Sequence, residues 1–293
     1  MPRDTQPRSG VQPLRALALC VFLVFLACAT SSGPKIGNLA PSGPPRSTAT
    51  PAGCYSRVSA FKLTFDYGAG LRDADRLLIR RATETARQYY DIPVPACPDP
   101  SVITHVVNRS AGTLAALASP TDRGSATVFV FAGGTWPSLT QPQKEQILLH
   151  EWYHVVQYPF RTCSQYTSEC PVPTVHIPGW FVEGTAEYES VRAAATLVDA
   201  PFASERAKRL SIARLETSTP LQRMRSLTTY EQYTVAFGAV DYLIWTTSEQ
   251  ALREFWPLIA QTGNFNKAFT TAFGMSPSDF YSGFAAYRQG GYR

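Results

Sequence analysis

The feature that most limits how this chain can fold is a change of hydrophobic period at Thr140. Ahead of it, one helical stretch aside, the apolar runs are short, rich in β-branched residues and closed by turn formers; beyond it they recur at helical spacing. Phe61 to Tyr67 alternates as a strand and ends at the breaker Gly68-Ala69-Gly70. Val102 to Val107 and Ala126 to Phe131 read as buried strands, the second closed by Gly133-Gly134. Between the first two strands Leu71, Ala74, Leu78, Ala82, Thr85 and Tyr89 mark one side of a helix, with Arg72, Arg76, Arg80 and Arg87 largely elsewhere as a solvated face. Thr140 and Gln143 form a capping box, Pro142 is tolerated in the first turn, and the helix so begun is expected to run until Pro159. Further helices are expected near Gly179 to Ala194, Ala203 to Leu215, Thr229 to Thr246, Gln250 to Ala260, Asn266 to Phe273 and Pro277 to Arg288. A small sheet first and helices after make an α+β fold.

Of the 293 residues, 44% are apolar, enough to bury a core, and the folded domain is expected over residues 54–293. Residues 29–53 are Ser, Thr, Pro and Gly with few large apolar side chains, a composition that makes a flexible linker. Residues 1–28 have a basic beginning, an apolar run from Ala16 to Ala27 and small residues afterwards, the layout of a secretory signal. The run is short against the ~20 apolar residues of a membrane span, although a signal anchor is the competing reading. Two cleavage readings overlap, Ala27-Cys28-Ala29 as a small-x-small site and Leu26-Ala27-Cys28 as a lipobox with Cys28 lipidated. Either way the protein is exported, as a secreted protein or a cell-envelope lipoprotein, and meets a membrane only through that lipid or an uncleaved signal. The formal charge of +5 is spread without a Lys/Arg block, so nucleic acid is not an expected partner. In an oxidising compartment an even cysteine set pairs, and sequence proximity across a polar turn suggests Cys163–Cys170 and then Cys54–Cys97. A zinc–cysteine site is the alternative, and no CxxC spacing supports it.

His150-Glu151-Trp152-Tyr153-His154 lies inside the helix expected from Thr140. Residues four apart share a helix face, so His150 and His154 can offer two imidazole nitrogens to one metal ion at ~2.0 Å. Glu151 stands about 100° around the helix, where its carboxylate can reach a water on the metal as general base. That pattern alone also describes a helix with two surface histidines. A second helical segment, Trp180-Phe181-Val182-Glu183-Gly184-Thr185-Ala186-Glu187-Tyr188, places Glu183 and Glu187 on one face, and a glutamate there completes a site of two histidines and one carboxylate.

With both segments in hand, the chain resembles the gluzincin zinc metallopeptidases, and most closely the small bacterial peptidase MA-like domains, over Ala126 to Arg288. The downstream Tyr233, Tyr242-Leu243 and Ala268-Phe269 fit the helical tail of that group. The resemblance implies one Zn2+ per chain on His150, His154 and Glu183, with Glu187 orienting a ligand histidine and Tyr233 donating to the oxyanion of a peptide or protein substrate. It also implies a gluzincin-like layout, with the HExxH helix followed by a helical C-terminal subdomain. The stretch from His154 to Glu183 is longer than in thermolysin-like enzymes, and no Gly-x-Met-Glu-Asn segment precedes the active helix, so an endopeptidase is expected rather than an aminopeptidase. The strand Ala126 to Phe131 is the expected edge for extended substrate. A surface-tethered zinc-containing binding or scaffold protein without turnover is the alternative, and a domain whose histidines bind no metal is the second. His105 is expected to pack in its strand, His176 to be an ordinary loop histidine, Tyr230 to be the runner-up to Tyr233, and Trp152, Tyr153 and Trp180 to pack around the site.

Overall fold

The computed structural model describes residues 55–68, 71–95, 100–107, 115–121, 125–166, 176–197 and 201–292. The expected leader and linker, with Cys28, Cys54, Cys97 and Cys170, lie outside these residues, and Cys163 falls where the backbone alone is described. The main sheet comprises β2 (Lys62–Tyr67), β4 (Ser101–Val107), β5 (Ala116–Pro120) and β6 (Ala126–Phe131), in the order β2-β4-β6-β5. β2, β4 and β6 run parallel, and β5 is antiparallel to β6. A smaller antiparallel pair joins β1 (Tyr55–Arg57) to β3 (Pro93–Pro95).

Parallel neighbours need a crossover, and α1 (Asp73–Tyr89) lies in the connection between β2 and β4. Its buried residues are Asp75, Leu78, Ile79, Ala82, Thr83 and Ala86, so the inward stripe is rotated from the expected one and leaves Ala74 exposed. The rotation has a partner: Lys144, only 3% exposed, sets its Nζ 2.8 Å from the Asp75 carboxylate. Arg72, Arg76 and Arg87 pair with acids one turn away on the same helix, as a solvated face should.

Two expectations about the sheet change. β6 is flanked on both sides, so it is not an edge; the edge strand beside it is the alanine-rich β5, and β2 is the edge on the other side. Alternation turns Val102, Val106, Val128 and Val130 into the core with Leu78, Leu149 and Trp152, which forces His105 to the other face. There it is half-exposed, with Asp66 at 2.6 Å and the Phe129 ring edge-on, rather than packed inside.

The helical half follows as α2 (Gln141–Tyr166), α3 (Gly179–Leu197), α4 (Phe202–Ala213), α5 (Tyr230–Thr246), α6 (Glu249–Thr262), α7 (Phe265–Phe273) and α8 (Pro277–Gln289). At the start of α2, Gln143 Oε1 accepts from the Thr140 amide and hydroxyl, both at 2.9 Å. The helix does not end at Pro159 but carries it inside. A proline there removes one ladder bond, yet Val155, Val156 and Phe160 around it are essentially unexposed, and their packing outweighs the local preference. α3 is the central helix, buried almost all round. It approaches α5 closely because residue 184 is glycine: a Cβ there would stand 2.5 Å from the Ala236 carbonyl oxygen. Around Phe181 the rings of Phe255, Trp256, Phe265, Phe269 and Phe273 close the core between α3 and the helices that follow. Among the described residues no helix is long and apolar enough to cross a membrane.

Candidate metal centre

Helix periodicity and the contact of α2 with α3 bring three donor atoms together. His150 and His154, one turn apart and 3% and 4% exposed, set their Nε2 atoms 3.0 Å from each other. Glu183 on α3 places Oε2 3.3 Å from His150 Nε2 and 3.4 Å from His154 Nε2. Among the described residues this is the one group of three such side chains close enough to hold an ion.

The contacts behind these donors fix their orientation. Gln157 Nε2 donates to the Val182 carbonyl and the Thr185 hydroxyl, both at 2.9 Å. A carbonyl only accepts, so Gln157 Oε1 must be the atom 2.7 Å from His154 Nδ1, and that nitrogen carries the proton. In its neutral form His154 therefore points an unprotonated Nε2 toward the other two donors, the nitrogen that could ligate a metal. Glu187 stands behind His150, with Oε1 3.6 Å from Nδ1. Its other oxygen accepts from Arg209 Nη1 of α4 at 2.7 Å and from Gln146 Nε2 at 3.3 Å.

Glu151, 5% exposed, is held from the sheet side. Its Oε2 accepts the Ala118 amide of β5 at 2.7 Å, while the Ala118 carbonyl accepts the Tyr158 hydroxyl at 2.8 Å. Ala118 thus turns its peptide groups away from β6, along the free side of the edge strand, toward the face of α2 that carries the histidines. The Tyr158 ring stacks on His154, centroids 6.3 Å apart. Tyr233, at the start of α5 and 2% exposed, puts its ring 6.3 Å from that of His150. Tyr230 sits near the Arg209–Glu187 pair; burial pushes its phenol up, with Arg209 opposing. His176 is exposed. Trp152, Tyr153 and Trp180 are buried, with Tyr153 accepting the Trp256 indole N–H at 3.0 Å.

Burial works against charge on His154, but the Glu183 carboxylate more than offsets it, with help from Glu151 and Gln157, and the imidazole is pushed up to about 9. The reciprocal effect holds on Glu183: burial would raise it, yet His154 and His150 keep it well below the ordinary carboxylate range. The pocket is therefore built for positive charge in contact with Glu183.

The sequence-derived residues His150, Glu151, His154, Glu183, Glu187 and Tyr233 all meet in this one place. Sequence reasoning missed Gln157, Tyr158, Ala118 and Arg209. Gln157 and Tyr158 were within reach, one turn past His154 on the same helix; nothing in the sequence singled out Ala118 or Arg209. No family model matches the chain, and no curated protein matches it either.

Proposed function

We propose that the chain is a zinc-dependent hydrolase of peptide bonds with a gluzincin-like arrangement, holding one zinc ion on His150, His154 and Glu183. The observation that carries this reading is the donor triangle, with sides of 3.0, 3.3 and 3.4 Å. A tetrahedral ion with bonds of ~2.0–2.1 Å needs ligands ~3.3 Å apart, so these three atoms fit it and leave a fourth position open. Charge supports the same reading. Glu151, Glu183 and Glu187 are three nearly buried carboxylates, Glu187 alone of the three is paired with the buried Arg209, and a divalent cation would close the balance.

When bound there, zinc supplies Lewis acidity toward a carbonyl and a water. The protein's own groups do the rest. Glu151 takes the proton of the attacking water and returns it to the leaving amine, its carboxylate aimed by the Ala118 amide. Tyr233 donates to the oxygen on which negative charge develops. Gln157 and Glu187 keep the two imidazoles in the ligating orientation. With no Gly-x-Met-Glu-Asn segment ahead of α2 to hold a free amine, a polypeptide cleaved internally is the favoured substrate. The secretory layout read in residues 1–28 supports a site of action outside the cytoplasm.

The test is digestion of a peptide library and an unstructured protein by the purified chain, with zinc and after chelation. Zinc-dependent cleavage is expected, and Glu151→Gln should keep the metal while losing nearly all turnover. A parent that binds one zinc yet cleaves nothing would favour the zinc-containing binding protein instead.

A further inference from the structure

Glu183 and Glu187 are the same chemistry one turn apart on α3, and both reach His150: Glu183 lies 3.3 Å from Nε2, Glu187 3.6 Å from Nδ1. Geometry on α3 alone does not say which of them ligates a cation. What separates them is the third party. The Glu187 carboxylate receives a charged hydrogen bond from Arg209 at 2.7 Å, whereas the ion pairs of Glu183 are with the two histidines.

Arg209 is an unusual group for this position. It is 4% exposed, and its guanidinium carbon also sits 5.5 Å from the centre of the Phe237 ring. A buried guanidinium is tolerated only where a carboxylate compensates it, and a buried carboxylate seeks whatever cation stands nearest. Without Arg209 the nearest cation for Glu187 would be the metal. With it, Glu187 is already neutralised at one oxygen and presents the other to the back of His150. Resting on the zinc reading above, we propose that Arg209 is a positioning residue that keeps Glu187 off the metal and leaves Glu183 as the carboxylate ligand.

Cobalt(II) is the probe, because its visible absorption is strong in four-coordinate sites and weakens when a fifth ligand enters. The parent must first bind one cobalt per chain; if it binds none, the zinc reading itself fails, whatever Arg209 does. Given a parent that binds, Arg209→Met should weaken the absorption and lower zinc affinity about 10–100-fold, the scale of losing an outer contact to a ligand. Arg209→Lys keeps the charge and should restore the parent's spectrum. The double variant Glu187→Gln with Arg209→Met removes the charge pair together and serves where the single variant does not fold. It has no second carboxylate to offer, so it should keep the parent's four-coordinate spectrum but bind zinc about tenfold more weakly. The proposal is overturned by an Arg209→Met protein with the parent's spectrum and affinity. It is equally overturned by a double variant that binds zinc as tightly as the parent.

Discussion

Replacing Gly184 by alanine tests how far the metal site depends on the spacing of two helices. The added Cβ would meet the Ala236 carbonyl oxygen at 2.5 Å and its carbon at 2.8 Å, with Val240 Cγ2 at 3.1 Å. The first two are backbone atoms of α5 and cannot rotate away, so α3 must retreat by about 0.9 Å to restore ordinary contact. Overpacking of this kind costs about 1–3 kcal/mol, here toward the upper end, against a gain of about 1 kcal/mol from alanine's better helix propensity. The net loss of about 1–2 kcal/mol should lower the melting temperature by roughly 3–6 °C for a domain of this size. The same movement carries the neighbouring Glu183 away from both histidines, opening two sides of the donor triangle while the His150–His154 side on α2 stays put. A displacement of that size exceeds the ~0.5 Å tolerance of a working site, so zinc affinity should fall about 10–100-fold in a chelator competition. Calorimetry and the competition are run on the same preparation. An unchanged melting temperature together with unchanged affinity would refute the packing argument.

Other outcomes follow from the same geometry. His154→Ala should purify without zinc by elemental analysis, as should Glu183→Ala, since two donors from one triangle hold an ion poorly; full occupancy in both would remove the metal assignment. Tyr233→Phe should cut turnover ~10²-fold or more with little change in substrate binding, while Tyr230→Phe should not; the reverse pattern would move the donor one turn upstream. Glu189, on the far side of α3's turn from Glu183, is 7% exposed, and burial pushes its carboxyl from 4.5 up to about 7 against Arg192 and Arg253. A folded pKa raised above the unfolded one means stability fully present below 4.5 and lost as pH climbs through about 7. Glu189→Gln should therefore gain on the parent by roughly 3 kcal/mol between about pH 4 and about pH 8 in denaturant titrations. A parent-to-variant difference independent of pH would show that Glu189 is not buried as an acid.

The α+β order was legible because the change of period at Thr140 coincides with the real border between sheet and helical half. His150, His154 and Glu183 were legible because spacing on a helix translates directly into a shared face. β5 was not: Ala116–Pro120 carries three small residues and ends in proline, so it has little intrinsic strand preference and is held by its register on β6. That omission is why β6 looked like the edge. Pro159 read as a helix stop because local rules see the lost bond and not the buried residues on either side of it. Arg209 was invisible for a different reason. Its partner is 22 positions away, and on a helix with Arg206 and Lys208 nothing marks which cation turns inward.

The bond from the Ala118 amide to Glu151 joins the two halves of the molecule at one carboxylate, whereas the three donors His150, His154 and Glu183 all belong to the helical half. On the zinc reading, the aim of the base would depend on the sheet directly, and the grip on the ion only through Tyr158, which bonds the Ala118 carbonyl and stacks on His154. A small tilt of the sheet relative to α2 would turn Glu151 first and disturb the donor triangle less. If the zinc reading holds, anything that leans on the outer face of the sheet, around His105 and Phe129, would then throttle rate more than it loosens the metal.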